Sequence, residues 1–100
     1  MAEKSVKKND VLPGQLAAFD VDGKRVAVAN VGGTFHAFDD TCTHLQCSLA
    51  EGTLEGTTVT CPCHGSEFDV RTGAVLAPPA VQPVRSYRVR VEGDTVKIET

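Results

Sequence analysis

Six residues able to bind a metal crowd into one short stretch of this chain: Cys42, His44 and Cys47 in CTHLQC, and Cys61, Cys63 and His64 in CPCHG. They include all four cysteines of the protein and two of its three histidines. A single metal centre takes about four protein ligands. Two of the six therefore serve another purpose.

The pairs Cys42-x-His44 and Cys61-x-x-His64 organise the set. In an extended segment, residues two apart point the same way, so Cys42 and His44 can face one centre. A tight turn does the same for Cys61 and His64. Pro62 stiffens that turn, and Gly65 allows a backbone conformation that other residues disfavour. Three chemistries suit such ligands. A structural zinc site takes two cysteines and two histidines, but zinc motifs usually pair like with like, whereas each loop here mixes the two. A four-cysteine iron–sulfur cluster accepts the Cys42-x4-Cys47 start, but the Cys-x2-Cys that should follow is absent. A [2Fe–2S] centre with two cysteines on one iron and two histidines on the other suits the mixed loops, because each loop reaches both irons. The mixing favours the third; spacing alone leaves all three standing.

The elements that position these loops read as all-β. QLAAF, KRVAVANV and TFHAFD are short β-rich runs separated by Asp-Gly and Gly-Gly, the hairpin signal. SYRVRVEGDTVKIE repeats the scheme, with Tyr87, Val89 and Val91 alternating against Arg88 and Arg90 before a turn at residues 92–94. No segment carries a 3.6-residue apolar period, so a sandwich or partly open barrel is expected. From Cys42 to about Ala80 the chain is dense in Gly, Thr, Pro and Cys, with brief strands in TTVTC and EFDV. This reads as a metal-bearing subdomain inserted into a β base, with APPAVQP a rigid connection back.

Composition narrows the function. One hundred residues, 41% of them hydrophobic, make one domain spanning 1–100 with a small core. A net charge of −3 argues against nucleic acid as a partner. The opening MAEKSVKKND lacks the apolar core of a secretory signal, and no apolar run is long enough for a membrane span. A cytoplasmic protein is expected, and there clustered cysteines are more often metal ligands than disulfides.

Together CTHLQC, CPCHGSEFD, RTGAVLAPPAVQPV and YRVRVEGD resemble the Rieske family along the whole chain, and the length is similar to that of Rieske-type ferredoxins. The resemblance implies a one-electron carrier, not an enzyme, holding one [2Fe–2S] cluster per chain. Cys42 and Cys61 would bind the inner iron, and His44 and His64 the outer iron near the surface. Ser66 would donate its hydroxyl to a bridging sulfide. The fold would be three small antiparallel sheets with the cluster at the tip, shielded by the APPA loop. The implied partners are a flavin-dependent ferredoxin reductase and a terminal ring-hydroxylating oxygenase, with the carrier a monomer. Cys47 and Cys63 stand where Rieske proteins of cytochrome bc and b6f complexes carry a loop-to-loop disulfide. That departure from oxygenase ferredoxins keeps a second reading open, a redox subunit of another oxidoreductase; a structural zinc module is the third. In the bc-type proteins a tyrosine occupies the place of Phe68, so a lower potential is implied here. Histidine ligation itself raises the potential, to roughly −150 to +300 mV, because the oxidised centre is formally neutral.

The other notable residues read as structural. His36 is a strand residue, Phe19, Phe35, Phe38 and Tyr87 are core, and Gly32, Gly33 and Gly93 are turns. Asp39-Asp40 reads as a solvated turn before the first loop, with docking of a basic partner as the functional alternative.

Overall fold

Ten strands build the protein in a computed structural model that describes residues 3–43 and 46–100. His44, one of the expected ligands, lies outside the described residues together with Leu45. The strands run β1 (Glu3–Lys7), β2 (Leu16–Val21), β3 (Lys24–Val31), β4 (Thr34–Asp39), β5 (Thr53–Glu55), β6 (Thr58–Thr60), β7 (Glu67–Asp69), β8 (Val75–Ala77), β9 (Ser86–Glu92) and β10 (Thr95–Glu99). Helix among the described residues is limited to two single 3-10 turns, Lys8–Asp10 and Leu49–Glu51. Among the described residues no helix is long and apolar enough to cross a membrane.

All pairings are antiparallel. One ladder runs β1-β10-β9-β4-β3-β2 and the other β5-β6-β7-β8. The first ladder is two three-stranded sheets sewn together by only two residue pairs, Ala37 with Tyr87 and Phe38 with Ser86. The expected three small sheets are therefore present, two of them fused along a short seam. The β2–β3 and β3–β4 hairpins turn on Asp22-Gly23 and Gly32-Gly33, whose four φ values are all positive (51, 83, 59 and 99°). Two consecutive positive φ angles give the turn whose twist matches that of the flanking strands.

Strand β3 explains how the base carries the second sheet. Its run Val26-Ala27-Val28-Ala29 is buried on both faces, as an unbroken apolar run in a strand implies. Val26 and Val28 face a core shared with Val21, Phe35, Val96 and Ile98. Ala27 and Ala29 face the other way, into a core with Phe38, Leu49, Val59, Phe68 and Val84 that also holds Cys42 and Cys61. The alternation of large and small side chains lets the second sheet approach the base closely. Burying a side chain the size of Phe68 or Leu49 contributes about 1.5–3 kcal/mol. The aromatic residues divide accordingly: Phe35 and Phe38 are buried, while Phe19 and Tyr87 pack half-buried at the edge of the first core.

Everything between β4 and β9 departs from the base and returns to it. This excursion contains the second sheet, both cysteine-bearing loops, and the segment from Pro78 to Val84 that leads back.

Candidate metal centre

The two cysteine loops are built alike. In the first, the Cys42 N–H donates to the Cys47 carbonyl at 2.9 Å, and the Cys42 carbonyl accepts from the Gln46 N–H at 2.8 Å. In the second, the Cys61 N–H donates to the Ser66 carbonyl at 2.8 Å, and its carbonyl accepts from the Gly65 N–H at 3.2 Å. The fourth residue after each cysteine turns the chain in the left-handed region, Gln46 at φ 59° and Gly65 at φ 80°. Glycine tolerates that region freely; glutamine does not. Gln46 is a structural determinant that nothing in the sequence signals.

Cys42 and Cys61 both end up buried and unbonded. Burial pushes the Cys61 thiol above its ordinary range and its contact with Cys42 adds to this, while the backbone amides of Cys63 and His64 pull the other way. Amide hydrogens directed at a sulfur welcome the thiolate that a metal ligand must be. Two adjacent buried sulfurs, one with such donors in place, fit the thiolate half of a [2Fe–2S] site. His64 stands exposed on the second loop.

Cys47 and Cys63 are joined by a disulfide, with Cα atoms 6.4 Å apart. The sulfurs of Cys47, Cys61 and Cys63 fall within 4.8 Å of one another. They are no ligand trio, because two of them are spent in that bond. Cys63 is exposed and Cys47 half-buried, so the disulfide has a solvent side. It borders an open cleft of about 630 Å³ that Arg25, Gln46 and Glu51 also line.

Three further contacts fix the loops. Ser66 is buried, and its Oγ accepts the Ala80 N–H at 3.0 Å, tying the second loop to the returning segment. Thr43 Oγ1 donates to the Gln82 carbonyl at 2.7 Å and ties the first loop to the same segment. The third contact corrects the reading of Asp39-Asp40 as a solvated turn. Asp40 is only 1% exposed. Its carboxylate accepts from Ser48 Oγ at 2.6 Å, the Ala50 N–H at 2.8 Å and Arg25 Nε at 3.2 Å, and a buried carboxylate persists only with such partners. Asp39 is half-buried and accepts a hydrogen bond from the Tyr87 hydroxyl. Neither is a free docking charge.

His36 is half-buried on β4, near Asp69 and Arg71. Its burial lowers its pKa from the ordinary value, and Asp69 partly offsets the effect.

Comparison with known proteins agrees with this architecture. The Rieske [2Fe-2S] domain family matches residues 3–88. The ferredoxin component of biphenyl 2,3-dioxygenase from Rhodococcus jostii (strain RHA1) is 41% identical over 96 residues, covering 96% of this chain and 90% of that protein. The ferredoxin of carbazole 1,9a-dioxygenase from Nocardioides aromaticivorans IC177 superposes with a TM-score of 0.92 at 36% identity, covering 97% of this chain and 95% of that one. A chain from the complex of reduced oxygenase and oxidized ferredoxin in carbazole 1,9a-dioxygenase gives a TM-score of 0.87 at 37% identity, covering 93% and 96%.

Proposed function

The chain belongs to the Rieske [2Fe-2S] domain family, and from that premise we propose that it is a one-electron carrier delivering electrons to a ring-hydroxylating oxygenase. The observation that carries the reading is likeness over nearly the whole chain to ferredoxin components of dioxygenases, one of them in complex with its oxygenase. A flavin-dependent reductase is the proposed donor, and the cytoplasm, alongside that reductase, the proposed compartment.

In this proposal Cys42 and Cys61 would hold one iron of the cluster, and His44 and His64 the other. The bound cluster supplies a reversible one-electron couple whose potential histidine ligation raises. The chain's own residues do the rest. Burial of Cys42 and Cys61 shelters the thiolates from water. The exposed position of His64 leaves that side open to a protein partner. Ser66 is oriented by the Ala80 N–H, which occupies its oxygen from one side and leaves the hydroxyl hydrogen to donate elsewhere. Leu76, 52% exposed, and Val81, 87% exposed, lie at the two ends of the APPA segment and give that end apolar surface. No substrate-binding role is assigned to the chain.

Iron and sulfide analysis tests the cofactor. Two irons and two acid-labile sulfides per chain are expected, with a Rieske-type electron paramagnetic resonance signal on reduction. One zinc and no labile sulfide after anaerobic purification would sink the proposal in favour of a zinc module. The disulfide favours the second reading, a redox subunit of another oxidoreductase. Stopped-flow mixing of the reduced protein with a ring-hydroxylating oxygenase separates the two: saturable oxidation is expected of the carrier, and its absence points to the other assembly.

A further inference from the structure

A free thiol and a disulfide are held side by side in this fold. Cys61 is unbonded, and its sulfur lies within 4.8 Å of both sulfurs of the Cys47–Cys63 bond. Exchange between a thiol and a disulfide proceeds by direct attack of a thiolate on one sulfur, with no external oxidant or reductant. Proximity makes such a step intramolecular, which favours it strongly over encounter between molecules. A metal bound at Cys61 would block it.

We infer that the metal-free chain rearranges its disulfide internally, Cys61 attacking Cys47 and releasing Cys63. The Cys61 thiolate forms a bond to the Cys47 sulfur as the Cys47–Cys63 bond breaks. The electron pair of the broken bond leaves on Cys63, which takes up a proton in place of the one Cys61 gave up. One disulfide and two thiols exist before and after, so the oxidation state is unchanged. Two features set the direction. Attack on Cys63 would close a small ring across Pro62, whose fixed φ resists it. Cys63 is the exposed member of the pair, so its thiolate leaves into water.

The product holds Cys61 in a disulfide and presents a new thiol at the surface. Metal binding and exchange are then competing fates of one sulfur. This last point rests on Cys61 being a cluster ligand; the exchange itself does not.

The test starts from the intact purified protein with its spectrum recorded. A chelator removes the metal under mildly alkaline conditions without added thiol. Samples taken over hours are quenched in acid, unfolded, alkylated and mapped by peptide mass spectrometry. Label is expected on Cys42 and Cys61 at first, then on Cys42 and Cys63, with a Cys47–Cys61 cross-link growing at a rate independent of protein concentration. The metal-loaded control should keep Cys47–Cys63 throughout, and so should Cys61→Ser after chelation. Label that stays on Cys61 overturns the inference. So does a mixture including Cys42 cross-links, the mark of an unfolded chain scrambling at random, or a rate that rises with concentration. If the starting protein shows no cluster spectrum, the cofactor reading fails, but the exchange pattern is still read.

Discussion

Asp40 and Ser48 are joined side chain to side chain at 2.6 Å across the base of the first cysteine loop. The same carboxylate takes the Ala50 N–H, and the Asp40 carbonyl takes the Leu49 N–H at 2.7 Å. One buried residue thus anchors the end of the loop to its beginning. Asp40→Ala would strand the Ser48 hydroxyl and the Ala50 amide, at a cost of about 1–3 kcal/mol. Asp40→Asn keeps an acceptor for the Ala50 N–H and lets the Ser48 hydroxyl accept from the new amide instead of donating. It loses chiefly Arg25, whose side chain is 57% exposed, so its cost should stay under about 1 kcal/mol. Urea denaturation of the two variants checks the ordering; equal losses would argue against the anchor.

The matched loops predict opposite effects at matched positions. Gln46→Gly removes the disfavour of a left-handed non-glycine residue and should stabilise the protein by about 0.5–1 kcal/mol. Gly65→Ala should destabilise it by about 1 kcal/mol, since its φ is 80°. A thermal melt that moves both variants the same way would contradict the loop equivalence.

Donors near the cysteines should set the potential. Ser66→Ala deletes a hydroxyl and orphans the Ala80 N–H. If its hydrogen bond of roughly 0.5–1.5 kcal/mol favours the reduced state, its loss lowers the potential by about 20–65 mV. Phe68→Tyr adds a hydroxyl in the core that holds Cys42 and Cys61 and should raise the potential by a similar amount. Voltammetry on spectrally intact variants decides; shifts below about 10 mV in both would remove these donors from the account.

Tyr87 offers a pH test with a clean signal, being the single tyrosine in a chain without tryptophan. Burial, reinforced by the hydrogen bond to Asp39, pushes its pKa up to about 12 from the usual 10. The folded state therefore holds the proton more tightly than the unfolded chain. Its contribution to stability is complete below pH 10 and is lost as the pH rises from 10 towards 12. Ultraviolet titration should show the phenol ionising near 12 in the native protein and near 10 in urea. Tyr87→Phe should flatten the alkaline slope of stability and cost about 1 kcal/mol. A native midpoint near 10 would contradict the pairing.

The disulfide spans a separation of 16 residues. Cross-linking a loop of that length stabilises by about 3 kcal/mol, largely by restricting the unfolded chain. The double variant Cys47→Ser, Cys63→Ser should lose about that much in urea and release iron faster. In the parent, acid-unfolded protein should alkylate at Cys42 and Cys61 alone until a reductant is added. Modification of all four cysteines without reductant would show that the bond is absent.

Legibility in the sequence followed locality. Strands β2, β3, β4, β9 and β10 could be read because short apolar or alternating β-rich runs and Asp-Gly or Gly-Gly turns sit within a few residues of each other. Strand β1 could not: Glu3–Lys7 is a lysine-bearing edge strand in which Val6 alone is buried, the composition expected of a protected edge. The cysteine and histidine pairs stood out because rare residue types were concentrated there. The role of Asp40 was hidden because its partners Arg25 and Ser48 lie fifteen and eight residues away, and two adjacent acids look solvated until folding supplies those partners. The left-handed Gln46 carries no local signal at all.

The core around Cys42 and Cys61 takes Ala27, Ala29 and Phe38 from one sheet and Val59 and Phe68 from the other. The cysteines are thus part of the mortar between the two sheets. Local opening beside either sulfur would expose side chains of both, so amide hydrogens in β3 and β7 should exchange with similar protection. The molecule should then melt in a single cooperative step, with no stage at which the cysteine loops are loose while the base stays folded.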